Sequence, residues 1–307
     1  MLKPVVCIGA ALADELLHSS TTILLRTTNI VTAKKSAGGV CRNIAHQVSL
    51  LNIPVQLICV FGNDGDGDWL KEICTRAGVQ LDAAITARVT TGKYTGIINS
   101  DGSLFTACLT NPSGQLITPG YLQQQQSLLS TASFLLLDTN LSAEAIEWLI
   151  NFSNQANIPL VIEPVSVPPA RKLSAIDLKG VYLITPNEDE LPAICSTTAT
   201  TTEAQIKELL QRGVQNIWLH KGASGSVFYN QKETLYLPAP EVVVIDCTGA
   251  GDGSVAGFIA SKYAGKGNLD CLKTAHTLAA EILQVNGSII THINQEQLIQ
   301  LVSKYYN

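Results

Sequence analysis

The 307-residue chain has no run of apolar residues approaching the roughly 18–20 needed to span a bilayer. It has no internal repeat and no low-complexity linker; the QQQQ at 123–126 is short and falls within an expected helix. Its eight cysteines, at 7, 41, 59, 74, 108, 195, 247 and 271, never form C-x-x-C, which argues against a disulfide framework and a cysteine-rich zinc site. Buried thiols in a reducing compartment, the cytoplasm, are the expectation. Charge is scarce at 15% of residues, and the net value of −5 gives no encouragement to nucleic-acid or anionic-membrane binding. G-x-x-x-x-G-K-[ST] is absent, and CIGAALADE offers one glycine where a dinucleotide fingerprint needs three, which disfavours a Rossmann dehydrogenase. The apolar start MLKPVVCIGAALADELL is soon followed by Asp14 and Glu15, so it reads as a first strand rather than a signal peptide.

What remains is an alternation. PVVCIGA (4–10), VQLICVFG (55–62), FLLLD (134–138), PLVIEP (159–164), GVYLITP (180–186), NIWLHKG (216–222) and EVVVID (241–246) read as buried parallel strands. Amphipathic stretches such as GGVCRNIAHQVSLL, GDWLKEICTRAG, SAEAIEWLINFSNQ and TTEAQIKELLQRG lie between them. This predicts one α/β domain over 1–307: a doubly wound, mostly parallel sheet flanked by helices, with ligands at the carboxyl ends of its strands. Two Thr/Ile-rich segments, about 15–36 and 88–112, fit no crossover helix and predict a small antiparallel β lid, with a turn at SDG. The lid's exposed face could pair with a second copy of the chain.

Two constellations carry chemistry. DCTGAGDG (246–253) leads from an apolar run into SVAGFIASKYAG. A glycine-rich entry to a helix aims unpaired N–H groups at one point with the helix dipole behind them, making Gly249, Ala250 and Gly251 an anion hole. Asp252 beside it would repel a phosphate unless it takes a proton from an attacking hydroxyl; a plain N-cap is the other reading. Upstream, SAGGVCRNIA places Gly38 and Gly39 where backbone can approach a ligand, and Asn43 offers the donor and acceptor that sugar hydroxyls need, or caps a helix. Asp14 could accept from two vicinal hydroxyls or stand in a solvent turn. NDGDGD resembles the start of a calcium loop, but position 73 is Ile where the Glu is required.

GGVCRNIA with VFGNDGDG resembles the first signature of the PfkB/ribokinase family of carbohydrate kinases, and DCTGAGDGSVAG resembles the second. The resemblance covers essentially the whole chain. It implies a ribokinase-like fold and ATP- and Mg²⁺-dependent phosphorylation of an alcohol, with Asp252 as the base. TPNEDEL resembles the family's N-x-x-E motif, which would set Asn187 and Glu190 near Mg²⁺ and the phosphates; unaided, it is a helix start. HKGASG would bring Lys221, Gly222 and Gly225 beside the nucleotide, although His220 and Lys221 stand where small polar or apolar residues are commoner, and Lys221 could equally face solvent. His276 falls where a ribokinase residue borders adenine; a lone His on an apolar helix is otherwise packed. Asp246 and Thr248 correspond to a K⁺ site in some members.

For the acceptor, Arg42 before Asn43, the stretch LLDTNL with Asn140 near substrate, and EPVSV resemble the pseudouridine kinase subgroup, with Glu163 standing for its Asp and Cys41 for a common Gly. Leu12 occupies a position where ribokinases place Asn, against free ribose. Ribose, fructose or an adenosine-like nucleoside are the alternatives, and a non-catalytic sugar- or nucleoside-binding member is the other class. No nucleic acid or membrane partner is implied.

Overall fold

The computed structural model describes residues 2–196 and 199–306. Its central sheet has eight strands among the described residues, in the order Thr234–Leu237, Ser226–Asn230, Asn216–His220, Leu183–Ile184, Leu160–Glu163, Phe134–Asp138, Val5–Ile8 and Val55–Ile58. The last six are mutually parallel; the first two form an antiparallel hairpin that closes the edge. Alternate side chains feed two cores. Val5, Cys7 and Leu136 pack beneath the helices Val40–Leu50, Ala250–Tyr263 and Asn268–Leu283, while Val6, Ile8, Leu135 and Leu137 face the helices Ala143–Ala156 and Thr202–Gln211. Burial on both faces is why these strands read as continuous apolar runs.

The strand Val5–Ile8 pairs with Val55–Ile58 on one side and Phe134–Asp138 on the other, so the chain reverses its winding there and leaves a crevice at the carboxyl ends. A second sheet rises over that end, with Val31–Gly38, Leu12–Ser19, Lys93–Ile98 and Leu104–Thr110 as neighbours. This is the expected lid with shifted bounds, and its central seam, Leu12–Ser19 against Lys93–Ile98, is parallel rather than antiparallel. The SDG turn holds, with Gly102 at φ 83° and Asn99 N–H donating to Ser103 O at 2.8 Å.

Three strand expectations need correction. EVVVID is no strand: Val243, Val244 and Ile245 are 79%, 57% and 58% exposed, because the hairpin has already taken the sheet edge. VQLICVFG is two strands, the second of which, Val60–Gly62, leaves the main sheet to pair with Ile85–Ala87. Only Leu183–Ile184 of GVYLITP is strand. Six cysteines are buried, whereas Cys108 and Cys247 are exposed. No helix among the described residues is long and apolar enough to cross a membrane.

Candidate active site

The crevice is built around a buried acid. Asp138, at the end of its strand, accepts from Ala10 N–H (3.0 Å) and Cys41 N–H (3.1 Å) through Oδ2 and from Asn140 N–H (3.0 Å) through Oδ1. It thereby ties the first strand, the Val40–Leu50 helix and the Asn140 loop to one point. Burial still pushes its pKa up, against these three donors. Gly9 lies so close that a Cβ there would sit 2.3 Å from the carboxylate.

The paired glycines have distinct reasons. A Cβ on Gly38 would stand 2.1 Å from Asp14 Oδ2, so bare backbone lets that carboxylate lie against the strand. Gly39 has φ 93° and would meet Ala10 O at 2.4 Å. Asp14 is half-buried and its carboxylate has no hydrogen-bond partner; burial, opposed by Arg42, raises its pKa to about 6. The Asn140 side-chain amide is likewise unbonded at the crevice wall, while its carbonyl accepts from Asn111 Nδ2 at 3.2 Å.

Asn43 is bonded on both sides of its amide. Its Nδ2 donates to Asp252 Oδ2 at 2.6 Å, and its Oδ1 accepts from Arg42 and, at 3.4 Å, from Ser288 Oγ. It joins two signatures 209 residues apart. Asp252 is half-buried, and burial pushes its pKa up to about 7; the Asn43 bond and the Arg42 charge oppose this, while Asp138 and Asp14 reinforce it.

The loop before Asp252 is held by Asp246, whose Oδ1 accepts from Thr248 N–H (2.9 Å) and Oδ2 from Gly287 N–H (3.0 Å). These bonds outweigh burial and keep its carboxyl below the usual range. Gly249 caps the helix Ala250–Tyr263 at φ 79°, with Ser288 within 2.5 Å of any added Cβ. The N–H groups of Gly249, Gly251 and Asp252 have no acceptor, whereas Ala250 N–H leans on Cys247 O at 3.5 Å. The open donors are therefore not the uninterrupted run 249–251 that the sequence suggested. Gly251 faces open space.

Asn187 and Glu190 close on each other. Asn187 Oδ1 accepts from Asp189 and Glu190 N–H at 2.9 Å, and Glu190 Oε2 accepts from Asn187 N–H at 3.0 Å, so the helix-start reading describes their local bonding. Glu190 is buried, with its pKa raised chiefly by that burial. The Glu163 carboxyl accepts from Val165 N–H at 3.3 Å and from Thr185 Oγ1, and burial together with Glu190 and Asp252 pushes its pKa well up. Next to it Val165 has φ 70°, and Ser166 N–H donates to Pro164 O at 2.8 Å: a γ-turn of the strained, left-handed kind on a β-branched residue.

Lys221 pairs with Glu188 at 3.5 Å on the surface. Gly222 (φ 55°) and Gly225 (φ 93°) turn the loop, and a Cβ on Gly225 would meet Leu237 O at 2.2 Å. His276 is 6% exposed and packed: Nε2 meets Ser226 Oγ at 2.7 Å, Nδ1 meets Pro238 O at 3.3 Å, and the ring stacks on Trp218. Both nitrogens are engaged, leaving none for adenine. His220 also lies on Trp218 (4.3 Å between centroids), and burial drives its pKa to about 3, so it carries no charge at neutral pH.

Asp64, in the calcium-like stretch, instead caps the helix Gly65–Arg76 and accepts from Thr91 N–H (2.8 Å) and Oγ1 (2.6 Å) at the lid's root. No group of three or more His, Cys, Asp or Glu among the described residues could hold a metal alone.

The fold is ribokinase-like, and an acid beside open helix-terminal amides fits the phosphotransferase with an alcohol acceptor that the family match supports. The model of the pfkB family carbohydrate kinases matches residues 3–295, and the chain belongs to that family. It is 32% identical over 260 residues to the uncharacterized sugar kinase YeiI of Escherichia coli, covering 83% of this chain and 70% of that one. It is 29% identical over 260 residues to the pseudouridine kinase of the same organism, covering 83% and 82%. The structure of Arabidopsis thaliana ribokinase complexed with ribose and ATP aligns with a TM-score of 0.86 at 23% identity, over 98% of this chain and 99% of that one.

Proposed function

We propose that the protein transfers the terminal phosphoryl group of ATP, with Mg²⁺, to the 5′ hydroxyl of a nucleoside, pseudouridine foremost. One observation carries the chemistry: Asp252, held by Asn43 at 2.6 Å, stands beside the unbonded N–H groups of Gly249, Gly251 and itself. A carboxyl whose pKa is near 7 is matched to taking a proton at neutral pH, a role worth about 10²–10⁴-fold. The hydroxyl loses its proton to Asp252 as its oxygen attacks the γ-phosphorus in line and the bond to the bridging oxygen breaks, releasing ADP, while the amides and helix dipole face the negative charge of the moving group. One such donor contributes roughly 2.7–4 kcal/mol to a transition state.

Mg²⁺ would be held mainly by phosphate oxygens and water, as its reluctance to dehydrate favours. The protein fits it at Glu190, backed by Glu163, whose carboxyl feels the Glu190 charge that a divalent cation would offset. When bound, the ion neutralises charge on the phosphates. Lys221, Gly222 and Gly225 would border the nucleotide, and K⁺ would take the outer lone pairs of Asp246 beside Thr248.

For the acceptor, the unpartnered Asp14 carboxylate suits a ribose diol and Asn140 a neighbouring polar edge. The similarity to relatives named pseudouridine kinase, in Escherichia coli and Arabidopsis thaliana, favours that nucleoside, and relatives named ribokinase or guanosine-inosine kinase keep other sugars and nucleosides as the second reading. Purified protein with Mg²⁺-ATP should phosphorylate pseudouridine faster than uridine, ribose, fructose or adenosine, and faster in K⁺ than in Na⁺ buffer. Strong turnover of a hexose with none of pseudouridine would overturn the substrate assignment.

A further inference from the structure

Arg42 is 1% exposed, among the largest fully buried side chains of the protein, and it has no acid in contact. Its Nε donates to Gly38 O at 3.1 Å, its Nη2 to Ala37 O and Asn43 Oδ1, and its Nη1 to His46 Nδ1 at 3.2 Å. Every acceptor is neutral. Two are carbonyls at the end of a lid strand, one is an amide, and the fourth is an imidazole that burial, then the Arg42 charge, pushes to about 4. A buried guanidinium without an anion is expensive, and an apolar side chain of similar size would pack there at lower cost. The acids that sense its charge, Asp252 and Asp14, do so through space.

We propose that Arg42 is a positioning residue for Asp252: it fixes the Asn43 amide with the oxygen turned to the guanidinium and the N–H turned to the base, and it supplies the buried positive charge that the acceptor-site carboxylates face. This rests on the assignment of Asp252 as base. An amide released by Arg42 is free to turn over and would then aim oxygen at a carboxylate. The charged groups acting on Asp252 are Arg42 from the Val40–Leu50 helix, Asp138 from the central sheet and Asp14 from the lid, and Asp252 in turn acts on Glu163; Arg42 is the one cation among them. The sequence places this arginine beside Asn43, and its hydrogen bonds give the pairing a reason.

The test uses Arg42→Met, with Arg42→Gln in reserve should Met not fold, together with Asn43→Ala and the double variant. Titration of Asp252 in ¹³C-aspartate-labelled protein should show its midpoint rising by about half a unit or more without the guanidinium, since one unit is 1.36 kcal/mol of interaction. In turnover, kcat at pH 7 should fall about ten-fold or more and partly recover toward pH ~8.5, with KM for ATP little changed. Asn43→Ala and Arg42→Met should be non-additive, as residues acting through one another are. A folded Arg42 variant with the wild-type Asp252 midpoint and acidic limb overturns the proposal. Asp252→Asn with near wild-type activity overturns the base assignment instead, so the two failures are separable.

Discussion

Asp252 gathers the catalytic argument into one carboxyl. Its conversion to Asn should leave ATP binding, measured by calorimetry, within a few-fold and lower kcat by about 10²–10⁴; activity within a few-fold of wild type would remove it as the base. The same variant carries a stability signature. The folded pKa, near 7, lies above the ordinary 3.8, so from about pH 4 to 7 the native state holds a proton that the unfolded chain has released. Asp252 therefore destabilises progressively as pH rises through that window. Asp252→Asn should melt near wild type at about pH 4 and above it at about pH 8, by scanning calorimetry. Gly249→Ala should cost roughly 1–2 kcal/mol for its left-handed backbone alone, more for the Ser288 contact, and read out as a lower denaturation midpoint. The glycines of DCTGAGDG were legible as a group but not individually: Gly249 needs its φ, Gly253 makes room for Ile282, and Gly251 opens onto the crevice. Asp138 and His46 escaped notice because a lone acid after FLLL, or one His on a helix, has no pattern until neighbours from distant segments converge.

The element that the sequence misrepresented most is EVVVID. A short apolar run cannot by itself be told from a strand, and the competing claim came from SVFYN and TLYL, whose alternation around NQKE was the available hairpin signal. With the edge filled, the run crosses the surface, tied at its end by Ile245 and Asp246 N–H donating to Leu283 O at 2.7 and 3.4 Å and by the Asp246 carboxylate. The lid segments were legible from their Thr/Ile content, but the parallel seam was not, since pairing direction depends on where the body delivers each segment. At Val165, the γ-turn between Glu163 and Ser166 stores strain of about 1–3 kcal/mol. Val165→Gly should therefore leave the urea midpoint unchanged or raised, despite the lost side chain. A drop exceeding about 1 kcal/mol would mean that the packing of this valine outweighs the strain.

For the whole molecule, the doubly wound core followed from strand–helix alternation, because strands buried on two faces must be apolar throughout. The lid gives the opposite case. Strand Leu104–Thr110 is exposed at every residue, with Leu104, Phe105 and Leu109 at 54%, 40% and 50%, and Val31 adds to this uncovered sheet. We propose that a second copy covers it as a two-fold dimer. Sedimentation should show a dimer that Phe105→Glu converts to monomer; a monomeric wild type at micromolar concentration removes the dimer. The parallel seam also imposes an order of events. The first hairpin ends at Gly38 and its partner strand begins at Lys93, so on the ribosome that hairpin must wait for over fifty residues, roughly 3–11 s at usual elongation rates, with its inner edge unmatched. The first-made part of the lid thus stays incomplete while the body's second strand and the segment after it emerge, and a nascent chain stalled before residue 98 would present that edge to chaperones or to neighbouring chains.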